Sequence, residues 1–288
     1  MSVIAMKREM TRAWVAAVAL CAISSALASG ESRPLVFGVF PRWNAQITVR
    51  DFTPLAQRLS RDLGRTVRIE TDKDFDSFMR RVYAGEFDIV HLNQLQYLQA
   101  HRVARYRAIA KICDDSACTI RAIIIARRDS HLKKIADLRD KTIAFGDPGA
   151  MVSHVLAKSV LAQSNLRPGQ YKTIFTKNPP NALLAVYNGD ADAAGVGPAA
   201  FQQPEIRLRI DVGQLAVLAE SRAIPHLPVA VRGDMDPELA LRIQRILTGL
   251  AQQPGGREIL AGIGIQRFET ADDDQYLAVK ELVEGSDR

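Results

Sequence analysis

Short apolar runs alternate with amphipathic segments along almost the whole chain. Leu35–Phe40 reads as a first strand. Phe52–Leu63 repeats apolar residues at helical spacing and is closed by Gly64, and Thr66–Glu70 alternates with period two. A helix over Phe75–Ala84 ended by Gly85, a strand over Phe87–His91 and a helix over Leu95–Val103 follow. Strand, helix, strand, helix, strand is the order of a parallel sheet with right-handed crossovers. Ile120–Ala126 reads as one long buried strand, after which the grammar restarts. A short helix spans Ile135–Leu138, then come a strand at Thr142–Phe145, a helix at Val152–Gln163, a strand at Lys172–Thr176, a helix at Ala182–Asn188 before Gly189, and a strand at Ala191–Val196. Strands at Ala216–Glu220 and Val229–Arg232 lead back, and Asp236 caps a long amphipathic helix over Pro237–Ala251.

This pattern predicts an α/β protein of two lobes, each a mainly parallel sheet flanked by helices. No low-complexity linker separates them, so the connection is expected to be two crossing strands, near 119–127 and 221–232. The expected boundaries are 29–122 with 228–288 for lobe 1 and 123–227 for lobe 2. The first 28 residues form an export signal: Lys7, Arg8 and Arg12, an apolar run over 13–22, then Ala26-Leu27-Ala28 for cleavage. Leu20 before Cys21 argues against a lipoprotein signal. The expected location is therefore the periplasm.

Composition changes the picture little. At 47% hydrophobic and 24% charged residues the chain is an ordinary globular one, and its net charge of +6 falls to about +4 once three basic residues and Glu9 leave with the signal. Basic residues form no run interleaved with aromatics, so nucleic acid is not an expected partner. Cys113 and Cys118 flank a polar turn. In an oxidising compartment they form a disulfide stabilising by about 2 kcal/mol through loop entropy, or they remain a dithiol for a thiophilic solute.

Two strand ends carry the candidate chemistry: Asp88–Tyr97 (DIVHLNQLQY) and Ala144–Ser153 (AFGDPGAMVS). Each is a buried strand that stops in a polar turn where a helix begins, and two such stops facing each other form a cleft. Phe40, Arg42 and Trp43 in the first loop, His91, Asn93 and Tyr97 in the second, and Ala150, Met151, Val152, Ser153 and His154 in the other lobe are the expected ligand-binding residues. His91, His154 and His226 lack close ligand spacing, so no metal or other cofactor is expected. Ser153 beside His154 does not give a nucleophile facing its base. There is also no Gly-x-Ser-x-Gly elbow, no His-Glu-x-x-His and no Gly-rich nucleotide loop, which argues against an enzyme.

Several segments together resemble the phosphonate- and phosphite-type (PhnD-like) periplasmic solute-binding proteins. They are Phe37–Pro41 (FGVFP), Pro54-Leu-Ala with Leu59 and Leu63-Gly64, Gly85–Asp88 (GEFD), Tyr97, Asp137–Gly149 (DLRDKTIAFGDPG), Asn188–Asp192 (NGDAD) and Glu220–Pro228 (ESRAIPHLP). The resemblance spans nearly the whole mature chain. It implies a type II periplasmic binding fold, a monomer that closes on a small solute such as a phosphate- or phosphonate-class oxyanion, and delivery to the permease of an ABC-type transporter. A sensor role is the alternative, with a membrane-bound histidine kinase as partner and, in one variant, arsenite captured by Cys113 and Cys118. The sequence departs from the family in the cleft. Ala150, Met151 and Val152 stand where relatives place hydroxyl residues, Pro179 and Pro180 where some place a polar group, and Gly197 where a carboxylate is expected. Groups suited to an aminoalkyl phosphonate are largely missing, while backbone N–H groups at 150–153 still suit an anion.

Overall fold

The computed structural model describes residues 33–41, 44–114 and 117–280. The export signal, Cys21, Arg42 and Trp43 lie outside the described residues. In chain order the principal elements are β1 (Leu35–Val39), α1 (Ala45–Leu63), β2 (Val67–Glu70), α2 (Phe75–Tyr83), β3 (Ile89–His91), α3 (Gln94–Ala104), β4 (Arg107–Cys113) and β5 (Thr119–Ile120). Then follow β6 (Ile123–Arg127), β7 (Thr142–Phe145), a π-helical turn (Met151–Leu156) running into α4 (Ala157–Gln163), β8 (Lys172–Phe175), α5 (Pro179–Asn188) and β9 (Ala193–Val196). The chain closes with β10 (Leu215–Glu220), β11 (Ile224–Pro225), β12 (Pro228–Val231), α6 (Pro237–Gly249), α7 (Gly256–Gly262), β13 (Arg267–Thr270) and α8 (Asp273–Leu277). Among the described residues no helix is long and apolar enough to cross a membrane.

Two sheets organise the molecule. The first has the order β13-β4-β12-β3-β1-β2 and the second β10-β6-β9-β7-β8. Both are mixed rather than mainly parallel, because the returning strands pair antiparallel: β12 with β3 and β4 and β13 with β4 in the first, β6 with β9 and β10 in the second. In the first, β1 lies parallel to both β2 and β3, so all five of its residues are buried, as a strand covered on both faces must be. Gly38 is dictated by packing, since a β-carbon there would lie 2.6 Å from the Phe87 ring. In the second sheet, alternation along β6 sends Ile124 into one apolar cluster with Ile143, Phe145 and Leu161, and Ile123 and Ile125 into another with Leu183 and Val186. Each sheet is thus covered by helices on both sides.

The expected strand over Ile120–Ala126 is broken in two. Thr119 and Ile120 pair with Pro225 and Ile224, whereas Ile123–Arg127 joins the second sheet. Between them Ala122 donates to Ser221 Oγ at 2.9 Å and accepts from the Ser221 N–H at 2.9 Å, which anchors the bend where the chain changes sheets. The β5–β11 ribbon is accordingly the double connection between the two sheets.

Other differences have local causes. Helix α1 starts at Ala45, seven residues before the expected start, because Asn44 Oδ1 accepts from the Gln46 N–H at 2.8 Å and caps it there. Pro54 therefore sits inside the helix, and the carbonyl deprived of a donor belongs to exposed Arg50. Pro179 and Pro180 are the first two residues of α5, where a missing N–H costs nothing, rather than the loop before it. Cys113 and Cys118 are bonded to each other. Cys113 ends β4, and the Arg267 guanidinium lies 3.0 Å from Cys118 Sγ.

Candidate functional site

The strand ends of both sheets meet at one cleft. After β3, Asn93 caps α3 in a reciprocal box: its Oδ1 accepts from the Gln96 N–H at 2.8 Å, and its own N–H donates to Gln96 Oε1 at 3.0 Å. That leaves the Asn93 amide nitrogen to reach across and donate to the Gly149 carbonyl at 3.1 Å. Gly149 belongs to the turn after β7. There Asp147 Oδ1 accepts from the Gly149 N–H at 2.7 Å, and the Ala150 N–H donates to the Asp147 carbonyl at 2.9 Å. Gly146 opens this turn because a β-carbon there would stand 2.7 Å from Ser153 Oγ and 3.0 Å from the Pro179 nitrogen.

The helix beginning at Met151 starts with a π turn, in which the N–H groups of His154 and Val155 both donate to the Ala150 carbonyl at 3.1 and 3.2 Å. The N–H groups of Met151, Val152 and Ser153 precede the first intrahelical bond and have no backbone acceptor among the described residues. They supply the positive end of the helix to the cleft.

The resulting cavity, of about 110 Å³, is lined from one side by Phe40, Pro41, Phe75, Asn93, Gln94 and Leu227. Ala150–Ser153, Asp147, Lys177–Pro179, Gly197 and Ala199 are among the residues facing them from the second sheet, and Ile120 of the connecting ribbon completes the wall. Most of these groups are apolar. Lys177 brings a positive charge on an exposed residue held at φ +74°, at the turn between β8 and α5. Two residues of this wall each carry a buried polar atom with no hydrogen-bonding partner among the described residues: Ser153 at Oγ and Gln94 at Oε1.

Of the residues expected at the ligand, Phe40, Asn93, Ala150, Met151, Val152 and Ser153 line this cavity. His91, Tyr97 and His154 do not line it. His91 is buried against Phe40 and Phe52 with Nδ1 3.0 Å from the Pro228 carbonyl. His154 packs against Phe145 and Phe175, its Nδ1 2.9 Å from the Pro148 carbonyl. His226 is buried elsewhere, its Nε2 3.2 Å from Asp114 Oδ2, so the three histidines do not share a setting.

Tyr97 faces the far side of α3. Its hydroxyl donates to Asp273 Oδ1 and accepts from the Ala108 N–H at 3.0 Å, and its ring packs on Tyr276. Burial first, and the Asp273 carboxylate second, push its phenol well above the usual tyrosine range. Tyr97→Phe should therefore cost about 1–2 kcal/mol of stability and leave solute affinity unchanged, measured by urea denaturation alongside calorimetric titration. A weakened affinity with unchanged stability would return Tyr97 to the cleft.

Gln94, Lys177 and Asn178 are polar cleft residues absent from the sequence expectation, as are the apolar Phe75, Ile120 and Leu227. Gln94 was hidden as one more polar residue in a helix start. Lys177 is detectable only as a lysine in a turn between strand and Asn-capped helix.

The family model for the periplasmic substrate-binding protein of the phosphonate ABC transporter matches residues 37–276. The phosphonates-binding periplasmic protein of Escherichia coli (strain K12) is 21% identical over 266 residues, covering 90% of this chain and 79% of that protein. The structure of PhnD1 from Prochlorococcus marinus (MIT 9301) in complex with methylphosphonate superposes with a TM-score of 0.77 at 16% identity, over 88% of this chain and 98% of that one. The tetrathionate sensor histidine kinase TtrS of Salmonella typhimurium is 30% identical over 152 residues, 50% of this chain but 26% of the kinase. With its two-lobe type II fold and a family match running from the first strand to the last helix described, the chain belongs to the periplasmic substrate-binding proteins of phosphonate ABC transporters.

Proposed function

We propose that the chain is the exported solute-binding subunit of an ABC-type importer and traps a small oxyanion of the phosphate or phosphonate class between its lobes. In this reading residues 1–28 are the export signal, 29–122 with 228–288 one lobe, and 123–227 the other. The observation that carries it is the set of unpaired N–H groups at Met151–Ser153 opening into a cavity whose opposite wall comes from the first sheet. Helix N-termini of this kind hold anions without supplying a nucleophile or an acid.

Closure follows from differential affinity. A solute touching both lobes adds to the Asn93–Gly149 bridge, which exists only when the lobes meet, and so shifts the population toward the closed form. A thermal-shift titration with methylphosphonate, phosphite and phosphate tests this. Saturation at about 100 times the dissociation constant should stabilise the protein by about 2.7 kcal/mol, or several degrees of melting temperature. No shift with any of the three at millimolar concentration would overturn the proposal.

The 30% identity to a sensor kinase over half of the chain favours a second reading, in which the same closed form is presented to a membrane-bound kinase. The partner reports the difference: stimulated ATP hydrolysis by a reconstituted permease, or changed autophosphorylation of a kinase.

A further inference from the structure

Gln94 is the first residue of α3 and is fully buried on the cleft wall. Its carboxamide orientation is settled by a neighbour. A carbonyl oxygen, that of Pro225 in the connecting ribbon, lies 2.7 Å from its nitrogen and requires a donor there. The Oε1 atom is therefore the end left over, and it has no hydrogen-bond partner. Across the cavity Ser153 is 1% exposed and its hydroxyl is also unpartnered. Buried polar atoms of folded proteins are almost always satisfied. Both residues line one cavity from opposite lobes, and each brings there a buried polar group that an occupant can complete.

The two ends ask for different chemistry. Around Ser153 the wall offers donors: the N–H groups of residues 151–153 and the hydroxyl itself. At Gln94 it offers an acceptor, which an anion stripped of protons cannot satisfy. Phe40, Phe75, Met151, Val152 and Leu227 make much of the remaining wall apolar, alongside Asn93, Asp147, Lys177 and Asn178; of the acceptors, Asp147 Oδ1 is already engaged by the Gly149 N–H. We infer that the cleft selects a tetrahedral oxyanion that still carries a proton and a small apolar substituent, and that Gln94 is the residue that reads the proton. The inference rests on the oxyanion reading above and adds its protonation state. Because Gln94 is tied to the connecting ribbon through Pro225, the same contact links the bound proton to the segment about which the lobes close.

Methylphosphonate and methanesulfonate test it. Below the second ionisation of methylphosphonate both are singly charged tetrahedral anions bearing one methyl group, but only methylphosphonate has an O–H. Calorimetric titration of the wild-type protein should favour methylphosphonate by about 10-fold or more, since leaving a buried acceptor unmet is the expensive outcome. Raising the pH through that second ionisation should lower the affinity, although the ligand gains charge. In Gln94→Met the preference should shrink to within about 2-fold, because the acceptor that penalises the sulfonate is gone. Equal wild-type affinities, or a preference that survives Gln94→Met, would overturn the inference and leave the oxyanion reading intact. Failure of both anions to bind would overturn the inference, and the oxyanion reading falls with it only if phosphite and phosphate fail as well. The wild-type comparison and its pH profile need no variant, so a poorly folded Gln94→Met protein does not weaken the test.

Discussion

Val152→Asp is expected to weaken oxyanion binding by at least about 100-fold while leaving the melting temperature nearly unchanged. Val152 is half-buried on the cleft wall, in the first turn of the helix whose N–H groups at 151–153 have no backbone acceptor. A carboxylate there takes those donors for itself and stands within a few ångströms of any bound anion. Two like charges at about 4 Å repel by about 4 kcal/mol at an effective dielectric constant of 20. Partial exposure of the site discounts that figure, which leaves roughly two orders of magnitude in affinity. Stability should not suffer, because an acid in the first turn of a helix is favoured by the dipole. Val152→Asn is the control: it has nearly the same shape and no charge, and should lose less than about 10-fold. Calorimetric titration with methylphosphonate separates the two. If the Asp and Asn variants lose affinity equally, charge at the helix start is not what holds the solute.

The sequence made the scaffold legible where burial is continuous and ambiguous where it is not. Leu35–Val39 and Ile123–Arg127 are fully or almost fully buried strands, and an unbroken apolar run announces them. Arg107–Cys113 is a strand of equal standing, paired on both sides, yet Arg107 and Lys111 interrupt its apolar signal. Lys111 is accommodated because its ammonium reaches Gln275 Oε1 at 3.0 Å beyond the sheet. Arg267–Thr270 buries only Phe268, so one hydrophobic residue had to speak for a whole edge strand. The same distinction governs the site. Residues 150–153 were readable because a strand, a Gly-Asp-Pro-Gly turn and a helix start coincide there. His91 ends the strand before such a turn and Tyr97 lies in the helix after it, but a strand end offers two faces, and side-chain direction depends on partners that come from distant parts of the chain: Pro228 for His91, Asp273 for Tyr97. Gln94 shows the converse. Its importance lies in the one atom left over after Pro225 has claimed the other, and no local pattern in the sequence encodes that remainder.

Gly195→Val should cost about 3 kcal/mol and abolish binding together, although residue 195 does not line the cavity. Gly195 lies within β9, opposite Ile124 of β6, under the helix that begins at the anion site. A β-carbon there would stand 2.5 Å from Ala157 Cβ, 3.0 Å from Phe145 Cδ1 and 3.0 Å from the Ser153 carbonyl oxygen. None of these is the free end of a flexible side chain, so the strain cannot be relieved by a rotamer change. The helix must lift from the sheet, carrying the N–H groups of 151–153 with it. Overpacking of this kind costs about 1–3 kcal/mol, and the two extra methyl groups of valine put the change at the upper end. For a chain of this size that lowers the melting temperature by about 6–12 °C. Displacement of the donors by about an ångström removes the alignment on which anion affinity depends. Ala157→Gly in the same chain removes the 2.5 Å contact, so the double variant should recover part of both losses, a coupling that a double-mutant cycle measures directly. Wild-type stability and affinity in Gly195→Val would mean that the helix start is not seated on β9 in solution, and the geometry assigned to the anion site would fall with it.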